Sequence, residues 1–131
     1  MNRDRDAGAE LARLESEKKR YDVPAAALGL LGLMRRAGKL AAGEEGVRQA
    51  LRSGTVKLVL LASDASSNAQ KRARDFAHRA NAPFMTLNAD KDTLCHALGV
   101  AGGAMFAVCD EGFTLAFIQK LQEKLPAEEN S

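Results

Sequence analysis

The stretch Lys-Leu-Val-Leu-Leu-Ala-Ser-Asp-Ala-Ser-Ser-Asn, residues 57–68, decides the fold of this chain. Four consecutive large apolar residues, Leu58 to Leu61, are typical of a strand that is covered on both faces. The polar residues that follow, from Ser63 to Asn68, are of the types that cap helices and form turns. The stretch therefore predicts a buried central strand that leads through a turn into a helix.

Helix and strand patterns alternate on both sides of this stretch. Apolar residues either recur at helical spacing or form short runs bounded by Gly and Pro. The predicted order is a helix over 27–37, a brief strand within 39–42, a helix from 43 to 54, the strand 58–61, a helix over 69–80, a strand at 84–87, a helix over 90–98, a strand at 104–109 and a last helix over 112–125. Such alternation predicts a parallel or mixed sheet between two layers of helices, which is a three-layer α/β/α sandwich.

The length of 131 residues is enough for one domain with one core. Residues 1–22 alternate acidic and basic side chains, and their only large aliphatic residues are Leu11 and Leu14. Such a segment buries too little apolar surface to belong to a core, so we predict a charged extension. The predicted domain covers residues 23–125, and residues 126–131 form a polar tail.

Composition narrows the classes of function. The net charge is only +2, so the position of the basic residues matters more than their number. Aromatic residues make up 5% of the chain and Trp is absent, which argues against a stacking platform for single-stranded nucleic acid. No apolar run approaches the roughly 18 residues that span a bilayer, and the charged start lacks the apolar core of a signal peptide. The expected location is therefore the cytoplasm, without a membrane partner.

No catalytic or metal-binding motif is recognisable in the sequence. A phosphate-binding Walker loop, a dinucleotide fingerprint and a nucleophile elbow are all missing. Cys95 and Cys109 lie beside apolar residues, as expected of reduced, buried thiols, and Cys95 next to His96 does not have metal-ligand spacing. Asp64 follows a buried strand, where some α/β proteins place a catalytic or phosphorylated acid, but a turn and capping role is the simpler explanation. We therefore expect that the chain is not an enzyme, that it binds no cofactor and that it has no metal site.

Three loops carry features of a phosphate-binding surface. The turn at 63–68 opens a basic helix, and backbone N–H groups at a helix start bind phosphate, although N-capping alone would explain the turn. A second helix start, residues 43–46, follows three basic residues, which would equally match the dipole at the end of the preceding helix. The third loop, residues 99–103, is small and apolar, so it suits either a splayed-out nucleotide or a flexible connector.

Four stretches in the core carry a resemblance to a known family. They are Leu-Gly-Leu-Met-Arg-Arg-Ala-Gly-Lys-Leu (31–40), Gly-Glu-Glu-Gly-Val-Arg-Gln-Ala-Leu (43–51), Lys-Leu-Val-Leu-Leu-Ala-Ser-Asp-Ala-Ser-Ser-Asn (57–68) and Leu-Gly-Val-Ala-Gly-Gly-Ala (98–104). In this order and spacing they resemble the kink-turn-binding ribosomal protein superfamily of the seven-Ae and thirty-e type, most closely its short bacterial YlxQ-like branch. The third stretch is the most specific, and the resemblance covers residues 26–124.

The resemblance implies a central four-stranded mixed sheet and RNA as the partner, with a ribosomal or other translation-associated role. It implies no cofactor, and it places the three loops together on one edge of the sheet. We expect a monomer. The site residues that it implies, together with the basic residues around them, are Arg35, Arg36, Lys39, Gly43, Glu45, Gly46, Arg48, Gln49, Asp64, Ser66, Ser67, Asn68, Lys71, Arg72, Gly99, Val100, Ala101 and Gly102.

The start of the second helix departs from the pattern of the family's tight kink-turn binders. That pattern is Gly, any residue, Asn or Lys, Glu or Gln, two more residues, then Lys. Gly43 is kept, but Glu45, Gly46 and Gln49 stand at the three other positions. A carboxylate that faces a phosphate backbone is unfavourable, and the loss of a cation removes one released counterion.

Two alternatives follow from these differences. In the first, the chain still binds RNA, more weakly or of another kind, through basic residues of the second and third helices, namely Arg48, Arg52, Lys71 and Arg72. In the second, the chain is a protein-interaction module that keeps the fold and has lost kink-turn binding. A salt titration separates the two, because phosphate contacts make RNA binding salt-dependent.

Overall fold

Five strands and five helices alternate along residues 19–122, the part of the chain that the computed structural model describes. The strands are β1 Arg20–Tyr21, β2 Leu40–Ala42, β3 Leu58–Leu61, β4 Phe84–Leu87 and β5 Met105–Val108. The helices are α1 Ala25–Arg36, α2 Gly43–Arg52, α3 Ser67–Ala80, α4 Lys91–Leu98 and α5 Glu111–Gln122. All elements predicted between residues 27 and 122 are present, close to the predicted bounds. Residues 1–18 of the predicted extension and the predicted tail 126–131 lie outside the described part.

The sheet is mixed, as predicted, and its strand order is β1-β4-β3-β5-β2. β3 lies at the centre, parallel to β4 and antiparallel to β5, so that Leu60 pairs with Met85 on one side and Phe106 on the other. β1 extends the sheet beyond β4, and β2 extends it beyond β5. Every side chain of β3 is buried, which confirms the central strand predicted from the continuous apolar run.

The two faces of the sheet confirm the three-layer α/β/α sandwich. Because successive side chains of a strand point to opposite faces, Leu58 and Leu60 face one layer of helices, and Val59 and Leu61 face the other. The first layer consists of α1, α4 and α5, and the second consists of α2 and α3. Each layer closes one hydrophobic cluster against the sheet.

The sheet has five strands instead of the predicted four, because a short strand precedes α1. This strand, β1, lies within the segment 1–22 that we predicted as an extension outside the core. Tyr21 pairs with Leu87, its carbonyl oxygen accepts a hydrogen bond from Asn88 N at 2.7 Å, and its side chain packs against the core. A two-residue strand has no alternating pattern, so nothing local in the sequence could reveal it.

The strand register defines two ends of the sheet. Ala42, Leu61 and Met105 lie at one end, which we call the loop end. Leu40 and Leu58 both pair with Val108 at the opposite end. With a rise of about 3.3 Å per residue, the two ends lie roughly 10 Å apart. Helices α2 and α3 begin at the loop end, whereas α1 and α2 finish at the opposite end.

Candidate nucleic-acid interface

The three predicted loops meet at the loop end of the sheet. A Cβ atom at Gly103 would lie only 3.0 Å from the Cα of Gly43, so the loop before β5 rests on the start of α2. The N–H of Ala62, directly after β3, donates a hydrogen bond to the carbonyl oxygen of Ala104 at 2.8 Å. Residues 99–104 therefore adjoin both the start of α2 and the turn after β3.

The loop 99–103 is held at both of its ends, unlike a flexible connector. Gly99 ends α4 in a left-handed conformation with a φ of 71°. The thiol of Cys95 donates a hydrogen bond to the carbonyl oxygen of Gly103 at 3.3 Å. Burial raises the pKa of Cys95, which keeps the thiol protonated as a donor. The buried, reduced thiol predicted at this position is therefore part of the loop's support.

The turn after β3 is fixed by two side chains that accept hydrogen bonds. Ser66 Oγ accepts from Ala69 N at 3.1 Å and caps α3. Asp64 Oδ1 accepts from the N–H of Lys91, the first residue of α4, at 2.9 Å. Asp64 therefore links the turn to α4, in the turn and capping role that we expected.

Charged residues at the starts of α2 and α3 neutralise one another. Arg48 donates hydrogen bonds to Glu44 at 2.9 Å and to Glu45 at 3.0 Å, and Arg72 Nη1 lies 3.3 Å from Glu44 Oε2. The hydrogen bond to Glu44, followed by that to Glu45, raises the pKa of Arg48. The Arg48 guanidinium also lies 5.5 Å from the centre of the Phe76 ring. Two of the basic residues predicted to contact RNA are thus already paired with carboxylates.

Most of the predicted site residues lie at the loop end. They belong to the first two turns of α2 and α3, the turn after β3 or the loop before β5, and they are Gly43, Glu45, Arg48, Asp64, Ser66, Ser67, Asn68, Lys71, Arg72, Gly99, Val100, Ala101 and Gly102. Gly46 and Gln49 lie on the side of α2 that faces β2, where they line a groove shared with Lys39. That the loop-end residues contact RNA stays a prediction.

The structure does not bring Arg35 and Arg36 to the three loops, and it brings Lys39 only to the groove that Gly46 and Gln49 line. These residues end or follow α1 at the opposite end of the sheet, where the Lys39 carbonyl oxygen accepts a hydrogen bond from Cys109 N at 2.8 Å. The expectation that they surround Gly43 rested on closeness in sequence. For Arg35 and Arg36 it is wrong, because β2 lies between α1 and Gly43 and crosses the sheet from one end to the other.

One cation at the loop end had no signal in the sequence. The guanidinium of Arg20, in β1, donates a hydrogen bond to the carbonyl oxygen of Ser63 at 3.0 Å. The two residues are 43 positions apart, so only the pairing of β1 with β4 brings them together. Arg20 therefore adds a positive charge to the turn that opens α3.

Metal-binding clusters and membrane-spanning helices are both absent from the described residues. Between residues 19 and 122, no group of three or more His, Cys, Asp or Glu side chains could hold a metal ion. None of the helices in this range combines the length and apolar character needed to cross a membrane. Both cysteines are free thiols, Cys95 buried and Cys109 half-buried.

Comparison with known sequences identifies close relatives. The family model for ribosomal protein L7Ae/L30e/S12e/Gadd45 matches residues 25–113. The RNA-binding protein YlxQ of Bacillus subtilis (strain 168) is 36% identical over 92 residues, which are 70% of this chain and 91% of that protein. The RNA-binding protein YlxQ of Enterococcus faecium is 33% identical over 87 residues, which are 66% of this chain and 82% of that protein.

Two solved structures share the fold. A protein of unknown function from Bacillus halodurans C has a TM-score of 0.67 and 32% identity, over 76% of this chain and 99% of that one. The Giardia lamblia 15.5kD RNA-binding protein has a TM-score of 0.57 at 14% identity, over 73% of this chain and 82% of that one, which supports the fold alone. Because the family model covers most of the described domain and the Bacillus subtilis relative aligns along nearly its whole length, the chain belongs to the ribosomal protein L7Ae/L30e/S12e/Gadd45 family.

Proposed function

We propose that this chain binds structured RNA at the loop end of its sheet, in the cytoplasm and in association with the translation apparatus. The observation that carries the proposal is the contact of Gly103 with Gly43, which joins the loop before β5 to the start of α2. The hydrogen bond from Ala62 to Ala104 adds the turn after β3 to the same surface. Relatives from Bacillus subtilis and Enterococcus faecium are named RNA-binding proteins, which supports RNA as the ligand.

The start of α3 supplies groups that suit phosphate. Ser66 caps one N–H group, and the first turn presents further N–H groups together with the positive end of the helix dipole. Lys71 is exposed one turn further along α3, and Arg20 adds a cation beside Ser63. These groups would position an RNA backbone without reading its sequence.

The loop before β5 suits contact with an unstacked base. Ala101 and Gly102 are exposed, and a Cβ atom at Gly102 would meet nothing within 4 Å. Proteins contact RNA bases mostly in loops and bulges, where the bases are splayed out. A small, fixed loop beside a phosphate-binding helix start therefore favours RNA with an unpaired region over a plain duplex.

The start of α2 disfavours tight binding of a kink-turn. Glu45 is exposed at the position where tight kink-turn binders are expected to carry an amide or an ammonium group. Arg48 offsets this charge only in part, because the same guanidinium also bonds Glu44. Repulsion between the remaining carboxylate charge and phosphate weakens binding. We therefore propose a bulged or looped RNA as the ligand, with weaker kink-turn binding.

A salt titration of the full-length chain tests the proposal. The titration uses three labelled RNAs of equal length: a kink-turn, a hairpin with a large loop and a plain duplex. If binding uses phosphates, the logarithm of the association constant should fall linearly with the logarithm of the salt concentration. Each phosphate contact should make the slope steeper by about 0.7 to 0.9. We expect the looped hairpin to bind at least as tightly as the kink-turn and more tightly than the duplex. A slope near zero for all three would contradict RNA binding.

A protein-interaction module is the second candidate, and one observation favours it. Glu44 and Glu45 neutralise Arg48 and Arg72, so the loop end lacks the strong positive potential of many RNA-binding surfaces. If the chain is a protein-interaction module, the same titration should show no salt-dependent binding of any of the three RNAs. For both candidates, the family agrees with the expectation that the chain is not an enzyme.

A further inference from the structure

Exposed basic residues gather at the opposite end of the sheet, away from the three loops. Four of them, Arg35, Lys39, Arg52 and Lys57, form what we call the basic end surface. Two of them flank the end of β5, because Cys109 N donates to the Lys39 carbonyl oxygen and Lys57 N donates to the Val108 carbonyl oxygen, both at 2.8 Å. With strands about 4.8 Å apart, the backbones of Lys39 and Lys57 are roughly 10 Å apart.

The basic end surface is not neutralised within the described chain. In residues 19–122, none of its four members takes part in an ion pair. Two carboxylates, those of Asp110 and Glu111, lie at the same end of the sheet. Asp110 serves as a cap for α5, where its Oδ2 accepts a hydrogen bond from Phe113 N at 2.9 Å. The unpaired positive charges leave this surface basic, whereas at the loop end Arg48 and Arg72 are paired with carboxylates of α2.

Helix dipoles account for only half of this charge. Arg35 and Arg52 lie in the last turns of α1 and α2, where basic residues offset the dipole. Lys39 and Lys57 lie just before β2 and β3, outside both helices. Because a sheet has only a small dipole, their positions have no such explanation.

A groove beside Lys39 distinguishes this surface from scattered, solvated lysines. The groove lies between β2 and α2 and has a volume of about 330 Å³, within the range of small-ligand sites. Ser53 and Thr55 add two hydroxyl groups to its wall. Both hydroxyls donate to α2 carbonyl oxygens, Ser53 to Gln49 at 3.1 Å and Thr55 to Ala50 at 3.2 Å, which fixes their positions. Small residues leave room for a close approach, namely Gly38, Ala41 and Gly46.

We propose that the basic end surface is a second RNA-binding surface, so that one copy of the chain holds two RNA segments at the two ends of its sheet. The inference rests on the proposed function, since it takes RNA as the ligand. Lys39 and Lys57 contact phosphates of one strand, and the groove beside Lys39 takes a nucleotide of that strand. RNA fits this surface better than an acidic peptide does, because it combines closely spaced charges with a flat, hydrogen-bonding base.

Charge-removing variants of the full-length chain test the inference. Lys39→Gln and Lys57→Gln should each lower the steepness of the salt dependence by about 0.7 to 0.9, and together by about 1.5. Arg79→Gln is the matched control, because it also removes one exposed positive charge. Unlike the two lysines, Arg79 is already paired within the chain, with its Nε 3.1 Å from Asp75 Oδ2. Arg79→Gln should leave the slope unchanged. Lys71→Gln, at the loop end, should lower the slope independently of the other two.

Capture of a second RNA tests whether the two surfaces act together. The chain is bound to an immobilised hairpin, and a labelled hairpin of the same sequence is then added. Wild-type chain should retain the labelled RNA, and Lys39→Gln with Lys57→Gln should reduce that retention severalfold, whereas Arg79→Gln should not.

The outcomes separate this inference from the proposed function. If wild-type chain binds RNA and Lys71→Gln weakens that binding, while Lys39→Gln with Lys57→Gln changes neither slope nor capture, the second surface is excluded and the loop end stands. If wild-type chain binds none of the RNAs in a salt-dependent way, the proposed function itself fails, and the second surface fails with it.

Discussion

Gly103 lies against Gly43 so closely that a Cβ atom at position 103 would be only 3.0 Å from the Cα of Gly43. Gly103 has a φ of 123° and Gly43 a φ of 80°, which residues with side chains rarely adopt. The loop before β5 and the start of α2 therefore come together because residue 103 is glycine, whereas a Cβ atom at Gly43 would meet nothing within 4 Å and only its backbone conformation favours glycine there. Their contact fixes the relative position of two of the three segments that we propose to bind RNA.

We expect Gly103→Ala to lower the free energy of unfolding by roughly 1–3 kcal/mol, through strain at positive φ and the clash with Gly43. Gly102→Ala is the matched control, because a Cβ atom there meets open space, and it should change the free energy of unfolding by less than about 0.5 kcal/mol. Urea denaturation of both variants measures the difference. Equal stabilities would contradict the close contact.

Truncation should detect the short strand β1. Removing residues 1–18 should change the free energy of unfolding by less than about 1 kcal/mol if the extension lies outside the core, as predicted. Removing residues 1–21 should lower the free energy of unfolding by a further amount of about 1–3 kcal/mol, because the hydrogen bond from Asn88 to Tyr21 and the contact of the Tyr21 side chain with the core are both lost. Urea unfolding of the two truncated chains gives the comparison. A large loss from the shorter truncation would show that the extension belongs to the core.

The cap of α4 should make stability depend on pH in the acidic range. The N–H of Thr93 donates to Asp90 Oδ1 at 2.8 Å, and this bond lowers the pKa of Asp90 from its ordinary value of 3.8. A carboxylate with a lowered folded-state pKa contributes stability that is present above the unfolded-state pKa. That stability is lost as the pH falls through the folded-state pKa. The contribution of Asp90 should therefore fade below about pH 4.

Asp90→Asn is the matched variant for this effect, because an amide oxygen still caps a helix but does not titrate in this range. The difference in Tm between wild type and variant should be largest near neutral pH and should shrink toward pH 3. Thermal unfolding followed by circular dichroism at several pH values measures it. A difference that does not vary with pH would rule out the charged cap.

Restoring the family pattern at the start of α2 should strengthen kink-turn binding. Glu45→Asn with Gln49→Lys removes a carboxylate and adds a cation, so we expect a gain of about 1–3 kcal/mol in binding free energy. Titration with a labelled kink-turn measures the gain, and a plain duplex of equal length is the control for net charge. An equal gain for both RNAs would show a charge effect without kink-turn contacts, and no gain for either would place the RNA site elsewhere.

The elements that the sequence predicts well are those with local signals. The apolar run Leu58 to Leu61 indicates the buried central strand, and the hydroxyl-rich turn after it contains Ser66, the cap of α3. β1 escapes prediction because its stability comes from pairing with β4, some 65 residues further along the chain. Its two residues carry no pattern of their own.

The candidate site is predictable to a similar degree, and for the same reason. The three loops are recognisable from glycines and capping residues, and their meeting at one end follows from the fold. The placement of Arg35 and Arg36 beside the loops is wrong, since closeness in sequence does not account for the direction of β2. The bond between Arg72 and Glu44 joins two helices, so no spacing rule within one helix could indicate it.

Both outer strands of the sheet are short, with two residues in β1 and three in β2. The exposed edge of a strand is a template on which another chain can add its own strand, and long apolar edges promote aggregation. The most apolar strand, β3, lies at the centre and is paired on both sides. The strand order thus places the strand that is most prone to intermolecular β-sheet formation at the centre of the sheet. The two edge strands are too short to pair stably with a strand of another molecule.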